Sequence, residues 1–178
     1  MDVRRLQLDP FSVAIGALLA LAVAFVAIRN GAALLMCALC IGGLLAAKLA
    51  GFSNRALLPL AIGLGVILWM VWIDPPTTAR RTSTLAHAAG GALVGWALAE
   101  YLRARLPWPR WGVRAVVAVF ALTILWELGE AVGDAVLDTS LDPESADSAL
   151  DIAFGTLGGA GTVALARLLR RRQGSVGA

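Results

Sequence analysis

The sequence predicts an all-α polytopic membrane protein, a six-transmembrane-helix bundle with both termini in the cytoplasm. Of its 178 residues, 59% are hydrophobic and only 15% are charged, against roughly 45–50% and about 25% in soluble domains. Mean hydropathy is +0.79. Six apolar segments come close to the roughly 20 helical residues that a bilayer core of about 30 Å requires. The apolar content excludes a disordered chain, and two cysteines exclude a disulfide scaffold. The pI of about 9.5 does not indicate a nucleic-acid partner: the net charge is +3, and the basic residues fall between apolar runs rather than along one stripe.

The segments span 11–28, 32–52, 57–73, 84–102, 112–133 and 149–169, in one integral-membrane domain over 1–178 that closes with a basic cytoplasmic tail, 170–178. They are rich in Ala and Leu and lack period-two alternation, so they read as helices, which satisfy their own backbone groups in lipid. The breaks carry turn chemistry. Arg29-Asn30-Gly31 follows the first helix and Ser53-Asn54-Arg55 the second. Asp74-Pro75-Pro76 ends the third, because proline lacks a donor and restricts the residue before it. Pro107-Trp108-Pro109 separates helices four and five, and Asp142-Pro143 starts helix six as an N-cap and first-turn proline.

Short-loop Arg and Lys set the orientation. With the N-terminus inside, the inner face holds Arg4, Arg5, Lys48, Arg55, Arg103, Arg105, Arg110, Arg114, Arg167, Arg170, Arg171 and Arg172. The outer face holds only Arg29, Arg80 and Arg81. Trp69, Trp72 and Trp126 then fall toward the outer interface, Trp108 and Trp111 toward the inner one, and Trp96 lies deeper. The first segment has signal-peptide features, with Arg4 and Arg5 before it and Ala22-Val23-Ala24 within it, but its length favours a retained helix. Asp2 stands where myristoylation needs glycine. The plasma membrane is the expected location.

The acids are unevenly placed. Glu127, Glu130, Asp134, Asp138, Asp142, Glu144, Asp147 and Asp151 are eight of the 12, and no Lys or Arg occurs between Arg114 and Arg167. The topology puts this stretch outside, with the single histidine, His87, about one turn below the same surface. Glu127, Glu130 and Asp134 share one face of helix five; Glu144, Asp147 and Asp151 share one face of helix six. His87 lines up with Gly91 and Gly95, a GxxxG pair like Gly155 and Gly159, and such spacing lets membrane helices approach closely. Helices four to six are therefore expected to pack with His87 facing the acid rows. Bare carboxylates cannot share a partly dry site: at an effective dielectric of about 20, two charges about 4 Å apart interact by roughly 4 kcal/mol. A divalent metal or shared protons would relieve this.

Each position also has a plainer reading. Asp138 and Asp142 read as solvated loop residues and Asp134 as a wet interface residue. Glu144 and Asp147 fit a helix first turn. His87 could be a hydrogen-bonded interface histidine. Glu127, Glu130 and Asp151 are the hardest to explain structurally, since ionisable groups inside a membrane are costly. Cys37 and Cys40 read as small packing residues, Lys48 as snorkelling, Glu100 as the partner of Arg103 or Arg55, and Arg170–Arg172 as a topology anchor on anionic lipid.

The pattern His87-x3-Gly91 with Glu100, the Glu127/Glu130 pair, and Glu144, Asp147, Asp151 and Ile152 before Gly155, Gly158 and Gly159 resembles the YjdF-type family of uncharacterised bacterial inner-membrane proteins. It is more distantly similar to VanZ-like membrane proteins. The resemblance covers about residues 80–165. Ser83 stands where that family often carries an aspartate. The resemblance implies a six-helix envelope protein, and the VanZ-like link makes cell-envelope lipid or glycan a plausible neighbourhood.

The leading expectation is an outward-facing site in which His87, Glu127, Glu130, Asp147 and Asp151 bind a divalent metal cation of unassigned identity, with metal-assisted chemistry on an envelope lipid if the protein is an enzyme. The alternatives are a proton- or cation-coupled transporter, and a non-catalytic subunit binding a membrane-protein partner through its acidic loop. The expected partners are the bilayer, an envelope lipid or a membrane protein, and no nucleic acid.

Overall fold

The computed structural model describes residues 9–27, 31–73, 79–137 and 145–175. All regular structure in it is helical: α1 (Pro10–Ala27), α2 (Gly31–Leu49), α3 (Asn54–Ile73), α4 (Ala79–Arg103), α5 (Arg110–Leu137) and α6 (Ser145–Ser175). Three stretches, Pro10–Ala27, Arg110–Val136 and Ser148–Arg170, are long and apolar enough to cross a membrane. Shorter apolar stretches cover Ala33–Leu49 and Asn54–Met70. Asp74, Asp138, Asp142 and Glu144 lie outside the described residues.

Helix ends differ from the apolar segments where local chemistry overrides hydropathy. α2 stops at Leu49 rather than Phe52 because Gly51 takes a left-handed conformation, φ 86°. The Gly51 amide donates to the Lys48 carbonyl (3.0 Å) and the Phe52 amide to the Ala47 carbonyl (3.1 Å), the paired bonds of a Schellman cap. α3 then starts at Asn54, with the Ser53 carbonyl accepting from Ala56 and Leu57. α5 and α6 outrun their apolar cores, and 170–175 continues α6 where the sequence suggested a tail. Arginine and glutamine are good helix formers, and the apolar stretch marks only the part suited to lipid.

The helices pack as two groups of three. In the first, Phe11, Leu18, Phe25, Cys37, Leu44, Leu57 and Leu68 form a buried core between α1, α2 and α3. Cys37 and Cys40 are buried free thiols within it, as their packing role requires. In the second, α4 packs most extensively against α6, and α5 lies against both. The groups meet where α3 crosses α4, with Gly63 directly beneath Leu93.

Polar ties mark one end of the bundle. Lys48 hydrogen-bonds Asn54, whose Nδ2 donates to Asp9 Oδ1 at 2.5 Å. The Tyr101 hydroxyl donates to the Ala50 carbonyl at 3.1 Å while its ring stacks on Phe52. Arg103 pairs with Glu100. His87 lies near the other end of α4, sixteen residues, or about 24 Å of helix, from Arg103. Many outward-facing side chains are apolar, among them Val113, Leu125, Val132, Leu157 and Leu165.

Candidate metal centre

The α4–α6 seam is built in layers one helical turn apart. A Cβ added at Gly91 would lie 1.9 Å from the Gly155 carbonyl oxygen, and one at Gly95 would lie 2.7 Å from Gly159 Cα. Only glycine permits backbones this close. A Cβ at Gly155 would meet Thr123 Cγ2 at 2.3 Å, and one at Gly159 would meet Val119 Cγ1 at 2.6 Å. The layers are therefore Gly91, Gly155 and Thr123, then Gly95, Gly159 and Val119. α4 and α6 run parallel, with α5 antiparallel to them. One turn back from the first layer, the same register places His87, Asp151 and Glu127 at one level.

These three side chains converge. His87 Nε2 is 3.0 Å from Glu127 Oε1. His87 Nδ1 is 3.3 Å from Asp151 Oδ2. Their side chains are 10%, 7% and 8% exposed, so bulk water does little to screen the charges. Three helices thus bring one imidazole and two carboxylates together, with a ligand atom from each lying within 4.8 Å of the others.

The hydrogen bonds orient this set. His87 Nδ1 lies 3.0 Å from the carbonyl oxygen of Ser83, one turn earlier. A carbonyl can only accept, so Nδ1 carries the proton, and in the neutral ring Nε2 keeps its lone pair. The Ser83 hydroxyl donates to Asp151 Oδ2 at 3.1 Å. Asp151 also takes a hydrogen bond from the Thr84 side chain. Three buried atoms remain without a hydrogen-bond partner: His87 Nε2, Glu127 Oε1 and Asp151 Oδ1. The close approach of Nε2 to Oε1 lacks the alignment of an N–H···O bond. A lone pair facing a carboxylate oxygen in a dry site is relieved by a proton or a metal cation between them, and unsatisfied buried polar groups otherwise cost about 1–3 kcal/mol each.

Glu130 is buried one turn further along α5, but it lies outside the convergent set; its Oε1 accepts a 2.9 Å hydrogen bond from Trp126 Nε1. Asp147 lies on α6 one turn before Asp151, and its side chain is outside the described residues. Asp134 is half-buried. Ser83 stands one turn before the histidine, but nothing in the sequence identified its hydroxyl as the donor to Asp151. The donor set of one imidazole and two carboxylates suits zinc, manganese or magnesium. No protein-family model, curated protein or solved structure matches the chain.

Proposed function

We propose that this protein is a multi-pass plasma-membrane protein that holds one divalent cation between α4, α5 and α6, through His87, Glu127 and Asp151. The supporting observation is that His87, Glu127 and Asp151, from three helices, each place a ligand atom within 4.8 Å of the others, while each also has a buried polar atom without a hydrogen-bond partner. Asp147 is the further ligand that helical register offers. Glu130, buried beside the set and not part of it, is the carboxylate available to take a proton. A divalent cation held there would supply a Lewis acid. Taken with the family resemblance, this favours hydrolysis or transfer on an envelope lipid phosphate.

The excess of arginine at the end marked by Arg103, Arg105, Arg110, Arg114 and Arg167 supports an N-in, C-in orientation with the site opening outward. Transport fits less well. Beyond the site, the α4–α6 seam is closed by the glycine contacts and Val119, and the Thr123 and Thr156 hydroxyls there already bond their own helix carbonyls.

The test is elemental mass spectrometry on detergent-purified protein supplied with zinc, manganese and magnesium, comparing wild type with Glu127→Gln and Asp151→Asn. About one bound divalent ion per chain, lost in both variants, is expected. Wild type without metal under these conditions, or variants that retain it, would overturn the assignment.

A further inference from the structure

A second site lies at the opposite end of the same helices. An apolar groove of about 370 Å³ runs between α5 and α6, lined by Trp108, Gly112, Val116, Val117, Ala160 and Ala164. Small residues of α6, Ala160 and Ala164, create it opposite Val116 and Val117, while Gly112 seats the Trp108 ring, 2.3 Å from where its Cβ would be. Its mouth is cationic. Arg167 lies seven residues after Ala160 and three after Ala164, hence on the same face of α6 one turn beyond the groove. Its guanidinium sits over the Trp108 ring, 3.8 Å from the centroid. Arg110 stands seven residues before Val117, which puts it at the matching position on α5, exposed at the start of the helix.

α5 and α6 carry no acid near these cations, and Glu100 of α4, at the same end of the bundle, is already paired with Arg103. No Asp or Glu occurs between Arg103 and Glu127 or after Asp151. The first acid on α5 is thirteen residues beyond Arg114, and the last on α6 is sixteen before Arg167, distances of about 20 and 24 Å along the helix. Stacking on Trp108 fixes Arg167 while leaving its N–H edge free to donate. An arginine fork held this way matches a phosphodiester.

We propose that this groove is a specific site for an anionic glycerophospholipid, with an acyl chain lying along Val116, Val117, Ala160 and Ala164 and the phosphate held by Arg167 and Arg110. Charge complementarity selects this occupant over a second copy of the chain, whose corresponding surface is equally cationic. Basic pockets between membrane helices are a known form of lipid recognition.

Native mass spectrometry of the full-length detergent-purified protein, titrated with phosphatidylglycerol or phosphatidylcholine of the same chain length, tests this. Phosphatidylglycerol is expected to bind at least tenfold more tightly. The Arg110→Gln/Arg167→Gln double variant should bring it down to the phosphatidylcholine level. Ala164→Phe, which fills the groove from an exposed position, should weaken both lipids while the protein stays monodisperse. Equal binding of the two lipids would overturn the proposal, as would a preference that survives the double variant. Displacement of the lipid by soluble glycerol phosphate, or a dimer that Ala164→Phe dissociates without changing lipid binding, would overturn it as well.

Discussion

Gly91→Ala and Gly90→Ala are neighbouring, chemically identical substitutions for which the structure predicts opposite outcomes. At Gly90 an added Cβ meets nothing within 4 Å. At Gly91 it lies 1.9 Å from the Gly155 carbonyl oxygen, where ordinary contact begins near 3.4 Å, so α4 and α6 must part locally by about 1.5 Å. Both changes raise helix propensity by about 0.8–1 kcal/mol. Overpacking a tight seam costs about 1–3 kcal/mol. Gly90→Ala should therefore be neutral or slightly stabilising, and Gly91→Ala destabilising on balance. The measurement is thermal unfolding of both variants beside wild type, in one detergent with chelator present to remove any metal contribution. Gly91→Ala should melt lowest, by several degrees. Equal melting points for the two variants, or a lower one for Gly90→Ala, would show that the α4–α6 contact is not as close as described.

Ser83→Ala removes the 3.1 Å hydrogen bond to Asp151. Loss of a group that orients a metal ligand should weaken divalent affinity by about 10–100-fold with little change in fold, measurable by competition with a chromogenic chelator. Trp126→Phe removes the donor to buried Glu130 and should lower stability by about 1–3 kcal/mol, while metal stoichiometry in elemental analysis stays unchanged. Cys37, fully buried, and Cys40, 5% exposed, should resist maleimide in the native detergent-solubilised protein and react once it is denatured; labelling of the native protein would contradict the α1–α3 core.

The all-helical architecture was legible because long apolar segments announce themselves through length and apolarity, with no partner needed; three of the six are long and apolar enough to cross a membrane. The sequence exposed the α4–α6 seam because Gly91, Gly95, Gly155 and Gly159 carry their packing role in their spacing. Three of the five suspected ligands come together for the same reason: His87 and Asp151 stand one turn before Gly91 and Gly155, and Glu127 one turn after Thr123, which packs on Gly155. The assignment of Glu130 could not be read in advance. It shares a helix face with Glu127, but which side chain turns toward His87 depends on Trp126, one turn away on the same helix, and on the rotation of α5 against two partners. Ser83 was equally hidden. Its hydroxyl reaches Asp151, 68 positions along the chain, a relation fixed only once α4 and α6 are docked.

On the proposed reading of the site, the layered seam links metal affinity to helix packing. Gly91 is four residues after His87, and Gly155 four after Asp151, so the contact that fixes the α4–α6 distance is one turn from the ligands on both helices. A local separation of about 1.5 Å at that layer also pulls His87 from Asp151, which are 3.3 Å apart. A cation that binds only the assembled bundle stabilises it by RT ln(1 + [L]/Kd), about 2.7 kcal/mol at one hundred times Kd. If Gly91→Ala weakens affinity tenfold, it gains about 1.4 kcal/mol less than wild type from the same saturating metal. Adding metal should therefore widen the stability gap between wild type and Gly91→Ala, while Gly90→Ala keeps pace with wild type. An unchanged gap, with metal bound to all three proteins, would mean that the site tolerates movement of α4 against α6 and that the glycine layer serves packing alone.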